Sequence, residues 1–261
     1  MRVPLSSRVQ LLLGASALTI LPRPEAAFAE STAAATITDK VRLEFIEQVS
    51  AQESRTLPMV IGLFGKDAPS SVETFKKAAA SQLDVKCPAS VDLSDEIMER
   101  GKQSKKAALK GCLGNEFEPV SYAYSQIWSI EGGKRINAGA VQGKFALRLA
   151  PTAPTSESAS LSHDAPGLLS VRRGGGAFDF HITTAANTGY DSDYAVIGRV
   201  IEGMDSVMEI DKMPTVKAAE VFGIEDPSAS RSMKCEYNNP NPFCAQSKPL
   251  RKVTLIRAAV L

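Results

Sequence analysis

Alternation of apolar and polar residues is the feature that most constrains this chain. From Ile37 to Ser50 the pattern puts Val41, Leu43 and Phe45 on one side of the backbone. A period of two lines one face of a half-buried strand and has no counterpart on a helix. A second strand is expected at Met59 to Phe64, separated from the first by AQESRT, so the two read as a hairpin with a rather long turn. Lys66 to Ser71 stops that strand, and Ser70 or Ser71 can cap a helix running through Val72, Phe75 and Ala79. Strand-like residues return at Val120 to Ile130, Gly143 to Leu149, Gly167 to Val171, Phe178 to Thr184 and Tyr194 to Val200. A helix follows from Met204 to Lys212, and a last strand from Leu250 to Ala258, where Val253 and Leu255 alternate with Lys252 and Thr254. Many short strands, two helices and no internal repeat predict a mainly β fold, a closed antiparallel barrel capped by the helices.

Three stretches stand outside that rhythm. Residues from about 83 to 119 are charged and lysine-rich, with a short helix expected at Asp92 to Arg100, and read as a surface insertion. Such an insertion costs the core little, because loop closure depends weakly on length. Its KQSKK run reads first as a solvated face and second as a surface for an acidic partner. Pro151 to Ser162 is a Pro, Ser, Thr and Ala-rich loop, and a further loop spans about 225 to 248. Lysine plus arginine (30) balances aspartate plus glutamate (29) over 261 residues, so no whole-molecule field favours nucleic acid or an acidic membrane.

The first residues carry Arg2 and Arg8, an apolar run from Val9 to Leu21, a polar break, and Ala27-Phe28-Ala29. The run is shorter than the roughly 20 residues that cross a hydrocarbon core of about 30 Å, and it fits the apolar segment of an export signal. Residues 1–29 are therefore expected to be a cleaved signal, with the mature chain starting near Glu30 and keeping no stable membrane span; an uncleaved anchor or a buried helix is the alternative. Four cysteines lie in two neighbouring pairs, Cys87 with Cys112 and Cys235 with Cys244. In an exported chain they suggest disulfides; local pairing is the expectation, although four cysteines permit three pairings. A zinc site is the rival, but there is no Cys-x-x-Cys and only His163 and His181 are present. With those two histidines and no Gly-x-Ser-x-Gly or Cys-His arrangement, a serine or cysteine hydrolase is set aside.

Three segments resemble cyclophilins: VIGLFGKDAPSSVETFKKAA (Val60 to Ala79), HDAPGLLSV (His163 to Val171) and the stretch from His181 to Ile210 that contains VIGRVIEGMDSV. Their order and spacing agree with the family, and with the terminal strands the resemblance covers most of residues 37–261. It implies an eight-stranded barrel with a helix at each end, and isomerisation of X-Pro peptide bonds on the barrel's outer face, with no cofactor. In the family an arginine donates a hydrogen bond to the prolyl nitrogen as amide resonance is lost, which favours the twisted transition state.

Gln142-Gly143 matches the family's Gln-Gly pair. Allowing one deleted residue, Arg135 takes the catalytic position beside Gln142; without the gap, Lys134 does. Resemblance also assigns Ala140, Arg172, Phe180, His181, Tyr190 and Ile197 to the substrate groove. Gly139, Ala140 and Val141 replace larger apolar residues, His181 stands where a pocket phenylalanine is expected, Tyr190 replaces a leucine and Ile197 another phenylalanine. A loosely held proline ring is the expected result. The Arg172-Arg173-Gly174-Gly175-Gly176 run lacks the Gly-Lys-Ser/Thr ending of a phosphate loop. Its arginines would favour acidic substrates beside a peptide groove. The reading is a weakened prolyl isomerase acting on proline-containing proteins after translocation, monomeric, with a binding or assembly module that has lost turnover as the alternative. Divergent cyclophilins of the thylakoid lumen carry a similar insertion and export signal, and a bacterial periplasm or secretion is the other expected destination.

Overall fold

A computed structural model describes residues 32–86, 90, 99, 102–103, 106–107, 110, 117–139, 161–173, 178–216 and 247–261. Strand β1 (Asp39–Gln48) and strand β2 (Ser54–Leu63) pair along their whole lengths, from Asp39 opposite Leu63 to Gln48 opposite Ser54. The turn is thus shorter than the alternation suggests. Val49 and Ser50 donate backbone bonds to the Glu53 carbonyl (3.0 and 3.1 Å), and the Ser50 hydroxyl accepts from the Glu53 amide (3.1 Å). The inward series of β1 is Val41, Leu43, Phe45 and then Glu47. That buried carboxylate accepts from Arg55 (2.7 Å) and Arg251 (3.0 Å), which supply the pairing a desolvated charge requires.

Helix α1 (Pro69–Ala79) begins with proline at its first helical position, where the missing N–H costs nothing. Ala68 is the cap residue and no side chain caps the helix, which corrects the expected Ser70 or Ser71 cap. Val72, Phe75, Ala78 and Ala79 form the buried face. Strands β3 (Leu83–Lys86) and β4 (Phe117–Val120) form a separate ladder at the base of the insertion. The expected strand from Val120 to Ile130 therefore splits: β4 ends at Val120, and β5 (Ser129–Glu131) starts only after an irregular stretch in which Tyr124 has φ 63°. Within the insertion, residue 99 is helical, inside the expected Asp92 to Arg100 helix, and residues 102–103, 106–107 and 110 are helical beyond its expected end. The expected strand at Gly143 to Leu149, nearly all of both loops and all four cysteines lie outside the described residues.

The remaining elements are β6 (Arg135–Ala138), β7 (Leu168–Arg172), β8 (Phe180–Thr183), β9 (Tyr194–Glu202), helix α2 (Met204–Asp211) and β10 (Val253–Val260). Eight strands make one antiparallel sheet in the order β10-β1-β2-β9-β7-β8-β6-β5, so the fold is mainly β with two helices. Register shifts at Glu44/Phe45, Val60/Ile61 and Leu169/Ser170 add local twist and curl the sheet. Its two end strands are β10 and β5. The stretch before β5 bonds to β10 through Tyr124 N–H to Leu255 O (2.7 Å), Leu255 N–H to Ser125 O (2.8 Å) and Ile127 N–H to Val253 O (3.0 Å). Among the described residues no helix is long and apolar enough to cross a membrane.

The inner face of the sheet and the two helices enclose the main core, centred on Phe75, Tyr122 and Phe180, whose rings stand 5.2 to 5.4 Å apart. A smaller cluster of Phe64, Leu161, Leu168 and Val196 is separate from it. Alternation along the strands places Leu168 and Val196 opposite the core-facing Leu169 and Ile197, so this cluster covers part of the outer face.

Candidate functional site

Strand alternation sorts the residues of β6 and β8. Ile136, Ala138, Phe180 and Ile182 face the core, which leaves Arg135, Asn137, His181 and Thr183 on the outer face. The register pairs Arg135 with Thr183 and Asn137 with His181, while Ser170 of β7 lies opposite His181 and Arg172 opposite Tyr194. A short 3-10 turn at Thr188–Tyr190, closed by the Asn187 side chain accepting from the Gly189 amide (3.1 Å), brings Tyr190 to the same place.

Arg135 is the centre of this group. Its Nε donates to Glu131 Oε1 at 2.7 Å, and its guanidinium carbon lies 4.7 Å from the Tyr190 ring centre and 5.2 Å from that of Tyr194. Burial works against its charge, but Glu131 and Tyr194 outweigh it and raise the pKa. The guanidinium therefore remains protonated and sandwiched in an ion-pair and cation-π setting. One terminal nitrogen, NH1, is buried and has no hydrogen-bond partner among the described residues. Lys134, by contrast, is exposed in the turn ahead of β6.

His181 is 1% exposed. Its ring meets Tyr194 edge-on at 4.5 Å and Tyr190 at 5.5 Å, and stacks on His163 at 5.7 Å. Burial, then the positive charge of Arg135, then His163, hold its pKa well below the ordinary histidine value. It is a neutral imidazole at pH 7, with Nε2 lacking a partner among the described residues.

Behind it lies an array drawn from the His163–Val171 segment and the turn at Asp191. Asp191 Oδ1 contacts His163 Nδ1 at 2.6 Å, and His163 Nε2 meets the Ser170 hydroxyl at 2.8 Å. Burial lowers the His163 pKa despite Asp191, so the ring is neutral. A carboxylate only accepts, so the proton sits on Nδ1 and the Ser170 hydroxyl donates to Nε2. Asp191 also accepts from Ser162 Oγ (2.6 Å) and the His163 amide (2.8 Å). These are the residue types of a hydrolytic triad, but Ser170 is 0% exposed and no substrate carbonyl can reach it. The array braces His181 from below.

Of the residues assigned from the sequence, Arg135, His181 and Tyr190 come together on the outer face, and Arg172 stands at the end of β7 beside Tyr194. Phe180 and Ile197 do not join them: they are 2% and 0% exposed inside the core, one strand position away from the outward face. The role expected of Gly139 is also corrected: just past the end of β6 its φ is +77° and an added Cβ would lie 2.3 Å from the Phe180 ring, so the glycine makes room for the core aromatic. Gln142 and Ala140 lie outside the described residues. Missed were Glu131, Tyr194, Ser170 and Asp191. The EGGKR spacing carries the signal for Glu131, since a three-residue turn places Glu131 opposite Arg135; the Asp191 contacts need segments far apart in sequence. Among the described residues no three His, Cys, Asp or Glu side chains group as metal ligands.

Comparison with known proteins finds that the family described as cyclophilin type peptidyl-prolyl cis-trans isomerase/CLD matches residues 49–227. The rhodopsin-specific isozyme of peptidyl-prolyl cis-trans isomerase from Calliphora vicina is 26% identical over 188 residues. That alignment takes in 69% of this chain and 63% of the relative, so the chain spans less than two thirds of its length. The matched region starts just after the end of β1 and ends before β10, yet β1 pairs with both β2 and β10 in the same sheet.

Proposed function

The chain belongs to the cyclophilin-type peptidyl-prolyl cis-trans isomerase family, and from that premise we propose that it catalyses rotation about X-Pro bonds of protein substrates, with Arg135 as the group that acts on the twisted amide. The observation that carries this reading is the Arg135 guanidinium on the outer face, oriented by Glu131 and two tyrosines and with 17% of its side chain exposed. Rotation about the peptide bond faces a barrier of about 18–20 kcal/mol because resonance is lost at the midpoint. As the prolyl nitrogen becomes pyramidal its lone pair can accept a hydrogen bond that the planar amide cannot. A donor waiting at that nitrogen binds the transition state better than either ground state. A charge-assisted bond of this kind contributes roughly 1.5–3 kcal/mol, or about 10- to 100-fold in rate.

Tyr190 and Tyr194 supply the surface against which the proline ring packs, with His181 buried behind them, and the resemblance adds Gln142 and Ala140 to the same groove. The residues ahead of β5 bond to β10, which supports closure of the curled sheet into a barrel. Substrates meet the protein after translocation, most simply in a thylakoid lumen, as a monomer stabilised by disulfides among Cys87, Cys112, Cys235 and Cys244. A protease-coupled assay on the chain lacking residues 1–29 tests the activity. Measurable turnover below that of other cyclophilins, lost in Arg135→Ala, is the expected result. No turnover favours the second reading, a binding module, which the near-complete burial of His181 beneath the tyrosines supports.

A further inference from the structure

We infer that Glu131 is a positioning residue for Arg135, locking the guanidinium into one orientation before any substrate arrives; the inference rests on the isomerase reading and adds a residue to it. Glu131 and Arg135 are direct cross-strand partners at the turn end of the β5–β6 hairpin, following the pairs Ile130 with Ile136 and Ser129 with Asn137. The turn between them is itself held. Lys134 N–H bonds to the Glu131 carbonyl (2.8 Å), and Gly133, at φ +69°, donates to both carboxylate oxygens of Asp211 at the end of α2 (3.1 and 3.0 Å). Asp211 also accepts from Thr184 Oγ1 (2.9 Å), just past β8, so helix, turn and strand share one anchor.

On that fixed base the Glu131 carboxylate takes Arg135 Nε at 2.7 Å and Asn137 Nδ2 at 3.4 Å through the same oxygen. A guanidinium is planar. Pinning Nε while Tyr190 and Tyr194 bound the group leaves its plane almost no freedom, and the direction of the terminal N–H donors is thereby set. Without Glu131 the long side chain would have to lose its rotamer freedom during the reaction, when the twisted amide is bound. The effect belongs to the reacting state, so it falls on turnover more than on substrate binding. The pair is partly buried, with 17% and 30% of the two side chains exposed, so water screens it less than an ordinary surface ion pair.

The test measures isomerisation of an X-Pro tetrapeptide by the protein without residues 1–29, together with the NMR signal of the Arg135 Nε–H, assigned by its loss in Arg135→Ala. Glu131→Ala is expected to lower kcat/KM on the order of 10-fold, almost all of it in kcat, with KM within about twofold. Glu131→Gln keeps an acceptor and loses the charge, so an intermediate value is expected, and Glu131→Asp should recover part of the activity. In an Arg135→Ala background Glu131→Ala should change nothing further. The Nε–H signal should be shifted downfield and exchange slowly in the wild type, and revert to an ordinary solvent-exposed arginine signal in Glu131→Ala. Activity of Glu131→Ala within twofold of wild type, an equal loss in the Arg135→Ala background, or an unchanged Nε–H signal would each overturn the inference. A wild type with no turnover would instead reject the isomerase reading, and the Nε–H signal alone would then decide whether Glu131 holds Arg135.

Discussion

The two faces of β6 and β8 are built from alternate residues of the same few positions and do opposite things. Inward, Ile136, Ala138, Phe180 and Ile182 pack without polar atoms against Phe75 and Tyr122. Outward, Arg135, Asn137, His181 and Thr183 are buried or nearly so, and nearly every contact they make is polar or aromatic. The inner face gains from removing apolar area from water. Polar burial on the outer face gains little and leaves Arg135 NH1 and His181 Nε2 unmatched. Such imperfect satisfaction lowers stability, so it marks the face where something other than folding is served.

The largest expected effect breaks the inner face. Phe180→Ala should cost about 3–5 kcal/mol in a denaturant melt, since the ring fills the space between Phe75 and Tyr122. Folded protein should keep its turnover; a loss of activity out of proportion to the unfolded fraction would show that the faces are not separable. Arg135→Ala should do the reverse: a drop of about 30- to 100-fold in kcat/KM, with stability changed by less than about 1 kcal/mol. A Tm shift as large as that of Phe180→Ala would reclassify Arg135 as structural.

His181→Phe tests the contrast more finely, by making one outer residue resemble an inner one. Removing a buried nitrogen that lacks a partner should stabilise the fold by about 1 kcal/mol. It should also flatten the pH dependence. His181 is neutral in the fold, with a pKa held down by burial, Arg135 and His163, while the unfolded chain takes up a proton below about pH 6.5. Wild-type stability is therefore full above that pH and declines as pH falls below it, toward the lower folded value. Melts between pH 7 and pH 5 should show a shallower decline in His181→Phe, the remaining slope coming partly from His163, whose pKa is also lowered. An identical slope in both proteins would mean that His181 does not titrate as its surroundings require. Smallest of all, Lys134→Ala should alter activity less than twofold and stability by under about 0.5 kcal/mol, because the side chain is exposed in the turn.

The strands were legible because a period of two survives wherever one face is buried, and Val41, Leu43 and Phe45 announce β1 by that alone. Their ends were less so. Ser54, Arg55 and Thr56 carry no apolar signal, yet they extend β2 because their backbones pair with β1 and Arg55 meets Glu47. Distance from Gln142 leaves Lys134 and Arg135 both open, depending on one gap, and only the fold puts Arg135 on the outer face with Lys134 out in the turn. Spacing is equally silent on which of two neighbours faces outward, so Phe180 and His181 read alike although only His181 lies on that face. The His163, Ser170 and Asp191 array was invisible for another reason: nothing in the spacing says that the His163–Val171 segment will fold back on itself and that a curled sheet will bring Asp191 within hydrogen-bond distance of it.

The pairing of β1 with β2 on one side and β10 on the other has a practical consequence. A fragment trimmed to residues 49–227 would lose both outer strands and leave β2 as the end of the sheet. The backbone donors and acceptors from Leu57 to Leu63, a stretch buried at all but Pro58, would then be open to any extended chain. An apolar, uncharged border of that kind is a template for edge-to-edge aggregation, and the backbone pairing of β1 along the whole of β2 is the cover that guards against it.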